Sequence, residues 1–257
     1  MNLSALPSGQ LMALFQGSAR ILRDRGLLSH AADNLYCRNT GNFQDEEFER
    51  LYALCVASDT RGLLGSFENP HDKAFRWRLH ILLTFSSRVA KQGLHMLDLG
   101  CGSGLIASAV LANSAADFRK RGGSYFMFDS FSGATPVQGE TNGYSPLDGA
   151  YAQALSICDA YDDIAQLTKG YLPMSLHNLP VDILKNIGLV SLDLNSAKAE
   201  IETMSFLFPY LHKGCIVILD DFGFPDSLDQ NTAFRLFAEK NLVNLVHLPT
   251  GQGLLLI

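Results

Sequence analysis

The stretch His95 to Gly104, H-M-L-D-L-G-C-G-S-G, constrains this chain more than any other. An apolar pair, Met96 and Leu97, runs into an acid, Asp98, and glycines follow at alternate positions, Gly100, Gly102 and Gly104. This is the pattern of a buried parallel strand that turns into a helix beneath a ligand. Glycine is needed there because the backbone must take positive φ or let a ligand approach with no Cβ in the way. The acid at the strand end can accept hydrogen bonds from a cationic or hydroxylated ligand. A dinucleotide fingerprint, G-x-G-x-x-G, would need its last glycine where Leu105 stands. A ligand without a pyrophosphate is therefore preferred, and an oxidoreductase is the least favoured enzyme class.

The full D-x-G-x-G-x-G pattern resembles motif I of class I S-adenosylmethionine (SAM) methyltransferases. That resemblance implies cofactor contacts from Asp98, Gly100, Cys101, Gly102, Ser103 and Gly104. The next apolar run, S-Y-F-M-F-D-S-F, closes on Asp129 and Ser130. In a strand-helix-strand unit an acid at the end of the second strand lies beside the glycine turn, where it can take both hydroxyls of a ribose. Asp129, with Ser130 after it, joins the cofactor set on that ground.

Periodicity extends the unit in both directions. Apolar spacing predicts helices over 8–28 and over Asp45 to Ala57, followed by a Gly/Pro/Asn-rich linker from Gly62 to Pro70. Residues 1–70 are expected to form a helical cap or oligomer contact, or equally a helical prefix packed on the core with no role in binding, and 71–257 the main domain. A helix over Lys73 to Lys91 should bury Phe75, Leu79, Ile81, Leu82, Phe85 and Val89, with Arg76, Arg78 and Arg88 on its solvated side. Further helices are expected over Leu105 to Arg121, Ala150 to Ile164, Ser196 to Leu211 and Ser227 to Asn241. Strands are expected at Gln166 to Gly170, Gly188 to Asn195, Cys215 to Leu219, Leu242 to Leu248 and Leu254 to Ile257. The turn P-T-G-Q-G makes the final pair an antiparallel hairpin. The fold class is thus α/β, a doubly wound, mostly parallel seven-stranded sheet with a C-terminal antiparallel hairpin and an N-terminal helical extension. Residues 132–149 are rich in turn formers and long for a connection, and read as a mobile lid or substrate loop.

In such sheets ligands bind outside the carboxyl ends of the strands. Asp98, Asp129, Asp193 and the pair Asp220-Asp221 all end apolar runs, so they should converge on one rim. Carboxylates gathered without basic partners repel one another, and a hard divalent cation such as Mg2+ resolves this with oxygen ligands. Asp193, Asp220 and Asp221 are the expected metal ligands, and Asp193 a candidate base. For any one of these acids, helix capping is the competing explanation. His177 is kept as a second candidate base. His212 fits a helix terminus better, and Cys101 a small side chain packed beneath the ligand.

The segments L-D-L-N (192–195), I-V-I-L-D-D-F-G (216–223), F-D-S-F-S-G (128–133) and K-G-Y-L-P (169–173) resemble the macrocin O-methyltransferase (TylF/MycF-like) family. The resemblance spans approximately Phe75 to Ile257, including F-R-W-R-L-H-I-L-L and P-T-G-Q-G-L, and leaves the first seventy residues uncovered. It implies methyl transfer from SAM, with magnesium, to a hydroxyl of a sugar or other natural product. Asp193 matches the aspartate of the family's D-L-Y segment, and Asp220-Asp221 its D-D-Y pair. Ser191 and Asn195 depart from the usual D-G-D-L-Y. Two other readings are a metal-independent methyltransferase using Asp193 or His177 as general base, and a SAM-binding subunit without catalysis.

Bulk properties narrow the partners. A formal charge of -6 and the lack of a basic cluster argue against nucleic acid. The 5 cysteines lack C-x-x-C spacing, and no uncharged apolar run approaches a membrane span. The expectation is a cytoplasmic protein with a small-molecule acceptor, no membrane contact and a homodimer made reasonable by the helical prefix.

Overall fold

A computed structural model of the chain describes residues 46–65, 70–132, 148–224, 227–248 and 250–257. The helix expected over 8–28 and most of the loop expected over 132–149 lie outside these residues. The elements are helix α1 (Glu46–Ser58), helix α2 (Pro70–Gln92), strand β1 (His95–Leu99), helix α3 (Leu105–Arg121), strand β2 (Tyr125–Asp129), helix α4 (Ala150–Asp159) and strand β3 (Ala165–Lys169). There follow a 3-10 turn (Met174–Asn178), helix α5 (Val181–Lys185), strand β4 (Ile187–Leu192), helix α6 (Ala197–Leu207), strand β5 (Ile216–Leu219), helix α7 (Leu228–Asn241), and strands β6 (Asn244–His247) and β7 (Gly253–Leu256).

The strands form one 7-stranded sheet in the order β3-β2-β1-β4-β5-β7-β6. Pairs from β3 through β5 are parallel, while β7 runs antiparallel to both β5 and β6. The doubly wound sheet with a closing hairpin is as expected. Chain order reverses between β1 and β4, and that crevice is where ligands settle in such sheets.

Strand alternation splits the core in two. Met96, Tyr125, Met127, Leu189, Ile216, Ile218 and Leu254 face a layer built by α1 to α4. Leu97, Leu99, Phe126, Phe128, Val190, Leu192, Val217, Leu219 and Leu255 face the layer of α5, α6 and α7. Within the segment expected as a cap, α1 buries Phe48, Leu51, Tyr52 and Cys55 in the same core as α2 and α3.

Some boundaries moved for identifiable reasons. Helix α6 ends at Leu207 rather than Leu211: Phe208 keeps helical angles, but Pro209 has no N–H to continue the helical hydrogen-bond ladder. Helix α4 ends at Asp159 rather than Ile164, since the run D-A-Y-D-D would add negative charge to a helix C-terminus. Strand β4 stops at Leu192, and Asn195 takes a left-handed φ of 54°. The 3-10 turn and α5 have no counterpart in the sequence expectation.

Arg76 and Arg78 do not lie on a solvated face. Arg76 pairs with Glu49 and with the buried Asp72, joining α2 to α1. Arg78 reaches the sheet, where it pairs with Asp220. Arg88 is exposed as expected.

Candidate active site

The parallel register lines up the strand ends. Leu99 pairs with Phe128 on one side and Leu192 on the other, Leu192 pairs with Leu219, and Leu219 with Gly253. One residue further on, the rim therefore reads Asp129, Gly100, Asp193, Asp220, Gln252 across adjacent strands. Backbone bonds continue the ladder through this row: Gly100 N–H donates to Phe128 O at 2.8 Å, Asp193 N–H to Leu99 O at 2.9 Å and Asp220 N–H to Leu192 O at 3.0 Å. By alternation, Asp129, Asp193, Asp220 and Gln252, with Asp98 two rows of pleat lower in the same parity, belong to the face covered by α1 to α4. The expected convergence of the acids is present.

The three glycines do different work. A Cβ on Gly100, at φ +90°, would lie 1.8 Å from the carbonyl oxygen of Asp193. One on Gly104, at φ +77°, would meet Ile157 at 2.9 Å. These two let the loop pack against the β4 end and α4. Of the three, only Gly102, at φ +53°, has no atom of the described residues within 4 Å of its would-be Cβ, so among them its backbone is the one a ligand can approach.

Asp129 closes this loop from the β2 side. Its Oδ2 accepts the Gly102 N–H at 2.9 Å and its Oδ1 the Phe131 N–H at 2.7 Å. Ser130 Oγ accepts the Ser132 N–H at 3.2 Å in the turn that follows. Ser103 is buried, and its hydroxyl donates to Ser58 O at 2.9 Å, tying the loop to the end of α1. Cys101 is buried beneath the loop, where burial and the Asp98 and Asp129 carboxylates hold its thiol far above the usual range. It is no nucleophile. Asp98 is also buried and accepts the Tyr125 hydroxyl at 2.7 Å. Burial pushes it up to about 6, against the lowering effect of that hydrogen bond, and Asp129 adds to the rise.

On the β4–β5 side, Asp193, Asp220 and Asp221 each offer a carboxylate oxygen, and these oxygens lie within 4.8 Å of one another. Asp193 is half-buried and accepts Asn195 Nδ2 at 3.0 Å. Loss of water and the Asp221 carboxylate push it up to about 7, against the pull of Arg78 and Arg61. Asp221 is also raised, by burial, with Arg78 opposing. Asp220 is buried, with Gln252 Nε2 donating to Oδ1 at 3.1 Å and Arg78 on Oδ2. Arg78 also stands 3.9 Å from Asp193. Buried Glu200 lies behind the cluster and accepts the Leu194 N–H at 3.1 Å, while Ser196 Oγ caps α6 by accepting the Ala199 N–H at 3.3 Å. Burial and Asp221 raise Glu200 well above the carboxylate range.

A hard cation fits this donor set: three carboxylates converge, two of them are raised chiefly by loss of water, and a cation would favour their charged forms. The sequence expectation of acids without a basic partner needs correction, because Arg78 and Arg61 both act on Asp193. Arg78 was legible after all. Its spacing to Leu82, Phe85 and Val89 puts it on the buried stripe of α2. Glu200 and Gln252 carried no comparable signal, since neither ends an apolar run.

His177 is not brought to this rim. It is exposed in the 3-10 turn, with its ring 4.5 Å from that of Phe206. Phe206 lies near the end of α6, and the rim adjoins the start of that helix, roughly 14 Å away along its axis. His212 Nδ1 donates to Lys213 O at 2.7 Å, beyond the end of α6. Trp77 is exposed and meets His80 edge-on at 6.0 Å. Among the described residues no helix is long and apolar enough to cross a membrane.

No protein-family model matches the sequence, and no curated protein matches it. Solved structures do match. CalS11, described as calicheamicin methyltransferase, is 18% identical with a TM-score of 0.57, the alignment covering 85% of this chain and 94% of that one. An apo structure of CalS11, described as a TDP-rhamnose 3'-O-methyltransferase, is 19% identical with a TM-score of 0.53, covering 85% and 96%. The O-methyltransferase NovP is 15% identical with a TM-score of 0.56, covering 95% and 98%. At these identities the likeness is one of fold: the sheet has the Rossmann-like arrangement of those structures.

Proposed function

We propose that this chain is a SAM-dependent O-methyltransferase acting on a hydroxyl of a sugar or other small natural-product-like acceptor, related to the macrocin O-methyltransferase (TylF/MycF-like) family. The observation that carries the reading is the row across the rim. The open backbone of Gly102 and the carboxylate of Asp129 lie on one side of Gly100, and the Asp193–Asp220–Asp221 cluster on the other. A cofactor half and an acceptor half thus meet at the topological switch. The TDP-rhamnose 3'-O-methyltransferase description of CalS11 supports a sugar hydroxyl as acceptor.

When bound, SAM supplies an electrophilic methyl group and a divalent ion lowers the pKa of the acceptor hydroxyl. Asp193, Asp220 and Asp221 would hold the ion. Asp129 has lone pairs left on both oxygens to accept ribose hydroxyls while it fixes the Gly102 amide. Asp193 takes the acceptor proton as general base. Tyr125 and Asn195 fix the carboxylates of Asp98 and Asp193, so that neither rotates away from the rim.

One observation favours a metal-free variant of the same reaction. Arg78 already balances Asp220, which leaves Asp193 able to act as an unassisted general base. The test is calorimetric titration with SAM, followed by methyl transfer from labelled SAM to nucleotide-sugar acceptors with Mg2+ or with EDTA. Absence of SAM binding defeats the function. Turnover that survives both EDTA and Asp193→Ala defeats the metal and the base while leaving the cofactor.

A further inference from the structure

We infer that Arg78 is a resident counter-cation that competes with the divalent ion for Asp220, and so sets how tightly this chain binds its metal. The inference rests on the metal reading given above. Its ground is geometric. The guanidinium approaches Asp220 at Oδ2 and stands 3.9 Å from Asp193 Oδ2, so it lies between two of the three carboxylates of the cluster. The other oxygen of Asp220 is engaged by Gln252 Nε2 at 3.1 Å. Asp220 Oδ2 is buried with no hydrogen bond of its own and faces the guanidinium, so an ion can take it only where the guanidinium gives way.

Arg78 is held in this place by its element. It shares the buried stripe of α2 with Leu82 and Val89, and its side chain is 20% exposed while that of Asp220 is 5% exposed. Little water screens the pair, and a charge at this depth acts strongly on its neighbours. Three carboxylates and one guanidinium leave two formal negative charges, matched by one divalent ion; without Arg78 the same ion would meet three. Arg61 also acts on Asp193, but it is exposed and is weakened by solvent. Arg78 thus keeps the cluster folded and partly neutral without metal, at the cost of affinity for the ion. It is a positioning residue with respect to the metal, not a catalytic one.

The probe is Mn2+ alone, titrated into the full chain at pH 8 and followed by the electron paramagnetic resonance of the free ion. Arg78→Met keeps the aliphatic stem and removes the charge, and Arg78→Lys keeps a charge. The expected result is a dissociation constant at least tenfold lower in R78M than in the wild type, equivalent to about 1.4 kcal/mol, with R78K within about threefold of wild type and Asp221→Asn abolishing binding. Equal or weaker binding by R78M overturns the competition and leaves the metal reading standing. Failure of the wild type and both Arg78 variants to bind Mn2+ overturns the two together. Should circular dichroism show R78M unfolded, Arg78→Gln is read by the same criteria.

Discussion

Gly100 and Gly102 separate a packing glycine from a ligand-facing one two residues apart. Gly100→Ala forces a Cβ to 1.8 Å from the Asp193 carbonyl, a backbone atom that cannot swing aside, and the expected result is loss of cooperative folding in a thermal melt. Gly102→Ala meets no atom of the described residues within 4 Å. It carries only the cost of a left-handed alanine, about 1 kcal/mol in a urea titration, while SAM affinity measured by calorimetry falls at least tenfold. Asp98 provides a pH signature. Its carboxyl ionises at about 6 in the fold against an unperturbed 3.8, so the folded state binds the extra proton. Its contribution to stability is then fullest below about pH 4 and is lost as pH rises through about 6, on the order of 2–3 kcal/mol. Asp98→Asn, which can still accept the Tyr125 hydroxyl, should flatten that slope and raise the urea midpoint at pH 7; an unchanged slope would refute the assignment. At this scale the sequence spoke clearly where an acid or glycine ended an apolar run, as at Asp98, Asp129, Asp193 and Asp220. It was misread at Arg78, whose charge suggested solvent although its spacing to Leu82 and Phe85 placed it inward.

Between elements, the decisive contact is the one that fastens the glycine loop to α1. Ser103 Oγ donates to Ser58 O at 2.9 Å in a buried position, and Ser58 Oγ in turn donates to Leu54 O at 2.9 Å. Ser103→Ala leaves the Ser58 carbonyl without that donor, which costs about 1–2 kcal/mol. Hydrogen exchange should quicken in α1 and leave β1 unchanged; uniform quickening would mean that α1 and the sheet open as one unit. Helix and strand identities followed from periodicity across most of the described chain, because amphipathic spacing is a local property. Ends were less legible, since they depend on Pro209 after α6 and on the acids after α4, local signals that override a continuing apolar pattern. Gln252 was beyond reach for a different reason. Its contact with Asp220 exists only because β7 lies next to β5, and pairing of strands is decided by the whole sheet.

For the molecule as a whole, the two halves of the site rest on one sheet, and a ligand bound to the native rim alone must stabilise all of it. At a SAM concentration 100 times its dissociation constant, mass action predicts about 2.7 kcal/mol of added stability. A rise in the urea midpoint with SAM, absent in Asp129→Ala, is the expected outcome, and an equal rise in both proteins would place the cofactor elsewhere. The order β3-β2-β1-β4-β5-β7-β6 also has a consequence in time. On a growing chain, β5 is made well before residues 253–256, and until those residues arrive its outer edge has no partner, because β6 can reach the sheet only through β7. The nascent domain therefore carries an open, wholly apolar edge, Ile216 to Leu219, through the synthesis of more than thirty later residues, roughly 2–7 seconds of translation. Closing that edge is the same event that brings Gln252 to Asp220, so the rim is completed only when the vulnerable edge disappears.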